Sequence, residues 1–243
     1  VLDESRDLDG LAHASTATEE PGPLVDGQRL DQPTFHALYL QTPEKFRAEL
    51  IDGVVHVMNC PVSEDHGFPD ASMIGLLFFY SVATPGTETR SNATAILGPR
   101  SEVQPDSALF IDPESGGQTY LNENRFAVGA PELVVEIALT SLATDLNAKR
   151  LAYEAAGTRE YVVFDATHRR FHWWTLRNGR FEPLEPDAAG IFRSVAFPGL
   201  WLDSEAFVRG DKKGLLGCLQ EGLARPEHAD FVARLAEERA KRA

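Results

Sequence analysis

Asp106, Glu136 and Lys149 are the residues of this chain whose types and spacing could do chemistry. Asp106 closes Glu102-Val103-Gln104-Pro105-Asp106 and leads into the apolar run Ala108-Leu109-Phe110-Ile111. Glu136 sits inside Leu133-Val134-Val135-Glu136-Ile137-Ala138-Leu139, a run that reads as a buried strand. Lys149 falls on the next predicted helix, over residues 142–156. Two carboxylates on neighbouring strands with a lysine close by could hold Mg²⁺, or Mn²⁺ in its place, against a phosphodiester. The metal would polarise the phosphate and activate a water.

Each residue also has a plainer reading. Strand alternation puts Glu136 on the face of Val134 and Ala138, opposite Leu133, Val135 and Ile137. A carboxylate there is costly to bury unless it is paired or binds a metal, so an ion pair with a nearby base is the structural alternative. Asp106 after Pro105 could be a turn or cap residue. Leu142, Leu146, Lys149, Tyr153 and Ala156 share one helical stripe, which turns the Lys149 ammonium toward the sheet. There it could orient the attacking water or balance developing charge; alternatively it pairs with Asp145 one turn back, or its stem reaches to solvent. Glu49, before the Asp52-Gly53 turn, could reach the same place as an outer ligand or be an ordinary hairpin glutamate. His66 reads as a solvated loop histidine with the chemistry of a base.

The elements that must position these groups follow from local pattern. Asp31-Gln32-Pro33 starts a helix, with Asp31 as N-cap and Pro33 in the first turn. Residues 48–58 read as a hairpin around Asp52-Gly53. Residues 61–70 read as loop and 71–82 as a buried helix. Strands are expected at 96–97, 107–111, 133–139 and 161–164, with a helix ending at Gly157 before the last of these. A hairpin turns at Asn178-Gly179, and residues 205–243 look helical, with Leu215, Leu216, Leu219 and Leu223 on one face. Trp173 and Trp174 could stack bases, but alternation places one of them in the core.

The chain has 243 residues, 43% hydrophobic and 25% charged, with a net charge of −14. That length supports one core with an appended element. Residues 1–30 hold seven acids and two arginines and read as a flexible acidic tail. Residues 31–205 form the expected domain, and 206–243 a helical C-terminal extension. The extension's apolar face would dock on its own domain or form a homodimer. Cys60 and Cys218 are isolated, against a zinc site. No apolar run is long enough for a membrane span and no signal-like start is seen, so a cytoplasmic protein is expected. The acidic balance counts against general nucleic-acid binding but leaves room for a local basic groove. Ser63, His66 and Asp70 lack a nucleophile-elbow context, and no phosphate-binding glycine loop occurs.

A set of short signatures recurs in order: Glu49-Leu50-Ile51-Asp52-Gly53, Met58 and His66, Pro105-Asp106, Pro131-Glu132-Leu133-Val134-Val135-Glu136, Asp145, Lys149, Tyr153, Gly157 and Glu160-Tyr161. In these the chain resembles the Uma-type restriction endonuclease family, within the PD-(D/E)XK nuclease superfamily, over roughly residues 33–205. The resemblance implies an α/β, restriction-endonuclease-like fold, with a mixed central sheet flanked by helices. It also implies Mg²⁺-dependent cleavage, with Asp106 and Glu136 as metal ligands and Glu49 in the acidic cluster. The superfamily's lysine stands two residues after the second acid, where this chain has Ala138, so Lys149 would supply the amine from the helix. Leu139 replaces a small polar residue, and Gln104 replaces an arginine often found before Pro-Asp.

Two readings follow. One is a Mg²⁺-dependent DNA endonuclease, for which a dimer would suit two-strand cleavage. The other is a non-catalytic binding or assembly module on the same fold, which the acidic balance favours. A basic strip formed by Arg125, Lys149, Arg150 and Arg159 would favour the first. An unrelated hydrolase is a third reading with less to support it.

Overall fold

A computed structural model describes residues 24–58 and 63–242. Most of the expected tail, and Cys60, therefore lie outside the described residues. Residues 24–30 are not tail-like. The backbone of Gly27 and Gln28 bonds to Val55, and Leu24 is buried with Phe35, Leu50 and Val55. One apolar side chain and two backbone hydrogen bonds fix this stretch despite its polar composition.

Asp31 caps α1 (Gln32–Tyr39), its carboxylate accepting from the Thr34 N–H at 3.0 Å. β1 (Ala48–Ile51) and β2 (Val54–Val57) meet at Asp52-Gly53, whose φ values of 48° and 77° suit a tight hairpin turn. Next comes α2 (Glu64–Ala83), which begins several residues before the expected helix and runs through Pro69. Pro69 removes one helical hydrogen bond. Burial of Met73, Leu76, Leu77 and Tyr80 on the same helix outweighs that loss. Residues 64–70, expected as loop, are thus helical, and His66 is carried on a rigid element.

β3 (Thr87–Ser91), β4 (Ala95–Gly98), β5 (Ser101–Val103), β6 (Ser107–Ile111), β7 (Tyr120–Leu121), β8 (Ala127–Val128) and β9 (Leu133–Ala138) follow. A continuous helical segment then spans 142–156: α3 (Leu142–Thr144), a π turn (Asp145–Lys149) and α4 (Arg150–Ala156), ended by Gly157 at φ 87°. β10 (Glu160–Asp165), β11 (Arg170–Arg177), β12 (Arg180–Pro183), β13 (Ile191–Arg193) and β14 (Trp201–Asp203) lead to α5 (Ser204–Arg209), α6 (Lys212–Leu223) and α7 (Pro226–Arg242).

The expected mixed sheet is the six-stranded β12-β11-β10-β9-β6-β3, in which β9 and β10 are parallel. A second six-stranded sheet, β2-β1-β5-β4-β8-β7, packs against it. Alternation along β9 divides two cores. Leu133, Val135 and Ile137 join α2 and the C-terminal helices, while Val134 and Ala138 join Ile51, Val103, Tyr153 and Tyr161 between the sheets. Glu136 therefore points into the gap between sheets.

The C-terminal helices are not an appendage. Leu215, Leu219, Phe231 and Leu235 lie in the same core as α2 and β9, and the expected boundary at 205/206 cuts α5. Their apolar face docks on their own domain. Deleting residues 206–242 should expose Leu76, Leu77 and Phe207's partners and abolish cooperative thermal unfolding. A truncated chain that melts cooperatively at the full-length temperature would show the helices to be dispensable.

Candidate active site

Three residues linking the two sheets, Gln104-Pro105-Asp106, bring the acidic groups together. The Gln104 N–H donates to Glu49 Oε1 at 2.7 Å, fixing the β1 carboxylate. Ser107 pairs with Val135, so one step further places Asp106 beside Glu136. Asp106 Oδ2 accepts from the Ile137 N–H at 2.7 Å, leaving Oδ1 turned toward His66 Nε2 at 3.4 Å. Proline at 105 has no N–H to leave unsatisfied where the chain changes sheets.

Lys149 enters this gap from the π turn. Its Nζ lies 2.9 Å from Glu49 Oε2, 3.1 Å from Glu136 Oε1 and 3.7 Å from Asp145 Oδ1. Glu136 Oε1 also accepts from the Tyr153 hydroxyl at 3.2 Å. Asp145 is held by the Ser141 hydroxyl at 2.5 Å, and the Tyr161 hydroxyl donates to its backbone carbonyl at 3.0 Å. The widened turn thus has its carbonyl satisfied by a side chain. The side chains of Glu49, Glu136, Asp145 and Lys149 are nearly inaccessible, whereas those of Asp106 and His66 keep 17% and 22% exposure and form the mouth.

The charge is unbalanced. Three carboxylates surround one lysine, and Asp106 stands beside Glu136. Burial pushes the Glu136 carboxyl well above the usual carboxylate range; Lys149 opposes this, and Asp145, Asp106 and Glu49 add to it. Asp145 is raised by burial in the same way, against the pull of Lys149 and Ser141. Burial alone would lower Lys149, but Glu136, Glu49 and Asp145 together raise it well above its ordinary value, so it is a fixed ammonium. At the mouth, the Asp106 hydrogen bond raises His66, and burial pushes Asp70 up to about 6.

This donor set could hold a hard cation. Mg²⁺ takes oxygen ligands, often one or two carboxylates with water completing the octahedron. Asp106 and Glu136 offer two such groups, and the acidic excess would favour it. No three His, Cys, Asp or Glu side chains among the described residues gather as a ready cage, because the Lys149 head stands between Glu49 and Glu136. His66 Nδ1, Asp70 Oδ1 and Asp145 Oδ1 are buried without a hydrogen-bond partner among the described residues.

All four sequence candidates, Glu49, Asp106, Glu136 and Lys149, therefore meet in space, and the Lys149–Asp145 pairing coexists with the others. His66 and Asp70 were hidden by the loop reading of 61–70; their spacing of four, together with acids before an apolar run, was the available signal. Asp145 was read as a signature residue and as a partner for Lys149, but not as a member of the acidic cluster. Of the basic residues that would discriminate between the two readings, Lys149 is enclosed by carboxylates and Arg150 lies over Trp174 at 5.7 Å. Trp173 is core, and Trp174 stacks on Tyr161, so neither ring is free for bases.

Lys149→Met should destabilise the protein by about 3–5 kcal/mol, because it leaves buried carboxylates unpaired. Glu136→Gln should instead raise the melting temperature in EDTA, since Lys149 keeps two partners. The pH dependence has a definite sign. Glu136 and Asp145 hold their protons more tightly folded than unfolded, so their contribution is fullest below about pH 4. It declines as pH rises through their raised values. Denaturant titrations across pH should show that decline weakened in Glu136→Gln; an unchanged profile would contradict the assignment.

The profile of the Uma2 family, described as "Putative restriction endonuclease", matches residues 33–205. Among solved structures, the chain is similar to a "putative nuclease belonging to DUF820" from Anabaena variabilis, at 16% identity and a TM-score of 0.52, covering 71% of this chain and 97% of that one. That likeness shows a shared fold. No curated protein matches. No helix of the described residues is long and apolar enough to cross a membrane. The family match spans most of the chain and contains every group of the carboxylate–lysine cluster, and the chain belongs to the Uma2 restriction endonuclease family.

Proposed function

We propose that the chain hydrolyses phosphodiester bonds of DNA, using Mg²⁺, or Mn²⁺ in its place, held by Asp106 and Glu136 with Glu49 as an outer member. The observation that carries this reading is the convergence of Glu49, Asp106, Glu136 and Lys149 from four separate segments on one buried, over-acidic gap whose Asp106 side stays partly exposed. When bound, the cation supplies charge neutralisation and Lewis acidity at the phosphate.

The chain's own residues supply the rest. Asp106 is fixed by the Ile137 N–H and keeps one oxygen toward the mouth. Glu49 is fixed by Gln104 and holds Lys149 in place. Lys149 carries a positive charge that would balance charge developing on the phosphate oxygens. His66 Nε2 faces Asp106 Oδ1 at the mouth, where its imidazole can hold or move a proton. Tyr153 and Tyr161 close the rear of the gap and exclude water.

A non-catalytic module remains the competing reading, favoured by the net charge of −14 and by a lysine already engaged by three carboxylates. Metal titration calorimetry and a plasmid-cleavage assay separate the two. Wild type should bind Mg²⁺ or Mn²⁺ and cleave, while Asp106→Ala and Glu136→Ala should each lose binding and at least about 10²-fold of activity. Lys149→Arg should keep metal binding and lose cleavage. A folded wild type that neither binds metal nor cleaves would favour the module.

A further inference from the structure

The first turns of α2 have two flanks. His66 and Asp70 look toward Asp106. Glu64, Asp65, Phe68 and Pro69 look the other way, onto a groove of about 540 Å³ whose far wall carries Arg169 and Arg209. Its floor is apolar, from Phe164 and Phe207. The groove sits at the end of β10 where Asp165 pairs with Ala138, two residues beyond Glu136 on β9. It therefore opens at the same end of the sheet as the carboxylates.

Its charge differs from that of the chain. Its lining balances Glu64 and Asp65 with Arg169 and Arg209, and Arg170, Lys212 and Lys213 lie nearby in sequence, in a chain of net charge −14. Arg170 and Arg209 are about 60% exposed and share their charge with Asp165 and Glu205. Arg169, Lys212 and Lys213 make no ion pair among the described residues. Arg169 stands at φ 54°, a conformation that a residue with a Cβ adopts only when its surroundings impose it. Its guanidinium donates to the Val208 carbonyl, which holds the turn against α5. Phe68 is 42% exposed, and Lys212 Nζ lies 5.4 Å from the centre of its ring. An exposed aromatic ring shared between this groove and the adjoining hollow that Lys212 lines, with two arginines on the groove's lining, supplies the parts of a seat for single-stranded nucleic acid, where bases stack and phosphates pair with cations.

We infer that this groove binds a single-stranded DNA segment flanking the cleavage point, with a base against Phe68 and its phosphates toward Arg169, Arg209 and Lys212. The acidic wall of Glu64 and Asp65 repels phosphate and accepts from base amino groups, which fixes the orientation. The link to cleavage rests on the nuclease reading. A helix is about 10 Å across, so the seated base lies on the order of three nucleotide steps from the mouth.

The test is anisotropy of fluorescently labelled single-stranded DNA in EDTA across a salt series, with melting temperatures as the folding control. Arg209→Glu/Lys212→Glu, both exposed positions, should weaken binding about 10-fold or more. It should also flatten the salt slope by about 1.4, the value for two phosphate contacts on a single strand. Phe68→Ala should weaken binding about 5-fold or more while leaving that slope unchanged. Wild-type binding that neither variant alters would overturn the inference, as would no binding by wild type. Loss in the charge variant alone would overturn the stacked seat. Asp106→Asn should still bind DNA in EDTA. Cleavage by wild type with normal binding by both groove variants would sink the groove and leave the nuclease reading standing. Groove-dependent binding with no cleavage would do the reverse.

Discussion

A single buried ammonium amid three carboxylates governs how the two sheets meet. Lys149 draws Glu49 from one sheet and Glu136 from the other to within about 3 Å of the same nitrogen. Without it, the gap would confine like charges in low dielectric, where each uncompensated ion costs several kcal/mol. The remaining machinery serves that nitrogen: the Gln104 N–H steadies Glu49, Tyr153 steadies Glu136, and Ser141 steadies Asp145. The carboxylates outnumber that ammonium, so the gap is an unbalanced ion cluster.

The helix bearing Lys149 shows what such a site asks of the backbone. A regular helix would carry Asp145 and Lys149 on one line. The π turn broadens that stretch, so both side chains are buried and face the sheets. Such turns are rare and are frequent at functional sites. At the opposite side of the gap, α2 tolerates Pro69 because its apolar face is anchored deep in the C-terminal core. Its first turns are thereby fixed between the carboxylate mouth and the cationic groove, and the C-terminal helices that anchor it are indirectly part of the site.

Much of this was legible in the chain. Alternation along β9 gave the direction of Glu136, the Asp52-Gly53 and Asn178-Gly179 turns gave their hairpins, Gly157 gave the helix end, and the Leu142–Tyr153 stripe gave the inward course of Lys149. Each rests on local periodicity or turn stereochemistry. The position of Glu49 did not, because it depends on Leu50 pairing with Glu102 across a long stretch of chain. The second sheet escaped for the same reason. His66 was misplaced because proline after a polar stretch reads as a breaker, while the burial that overrides it comes from β6, β9 and the C-terminal helices, distant along the chain. The cations facing the groove were unreadable as a group, since they come from a β-turn and a helix junction that only folding brings together.

The claim that the acidic excess awaits a cation has a thermodynamic signature separate from catalysis. If Glu136 and Asp145 bind protons more tightly than ordinary carboxylates, a metal entering the gap must displace part of that proton occupancy. Calorimetric titration of Mg²⁺ into the metal-free protein, repeated in buffers of different ionisation enthalpy, reads this release. The account requires a positive proton release that shrinks in Glu136→Gln. Metal binding with no buffer dependence in a range where the carboxyls are part-protonated, or no binding at all, would contradict it.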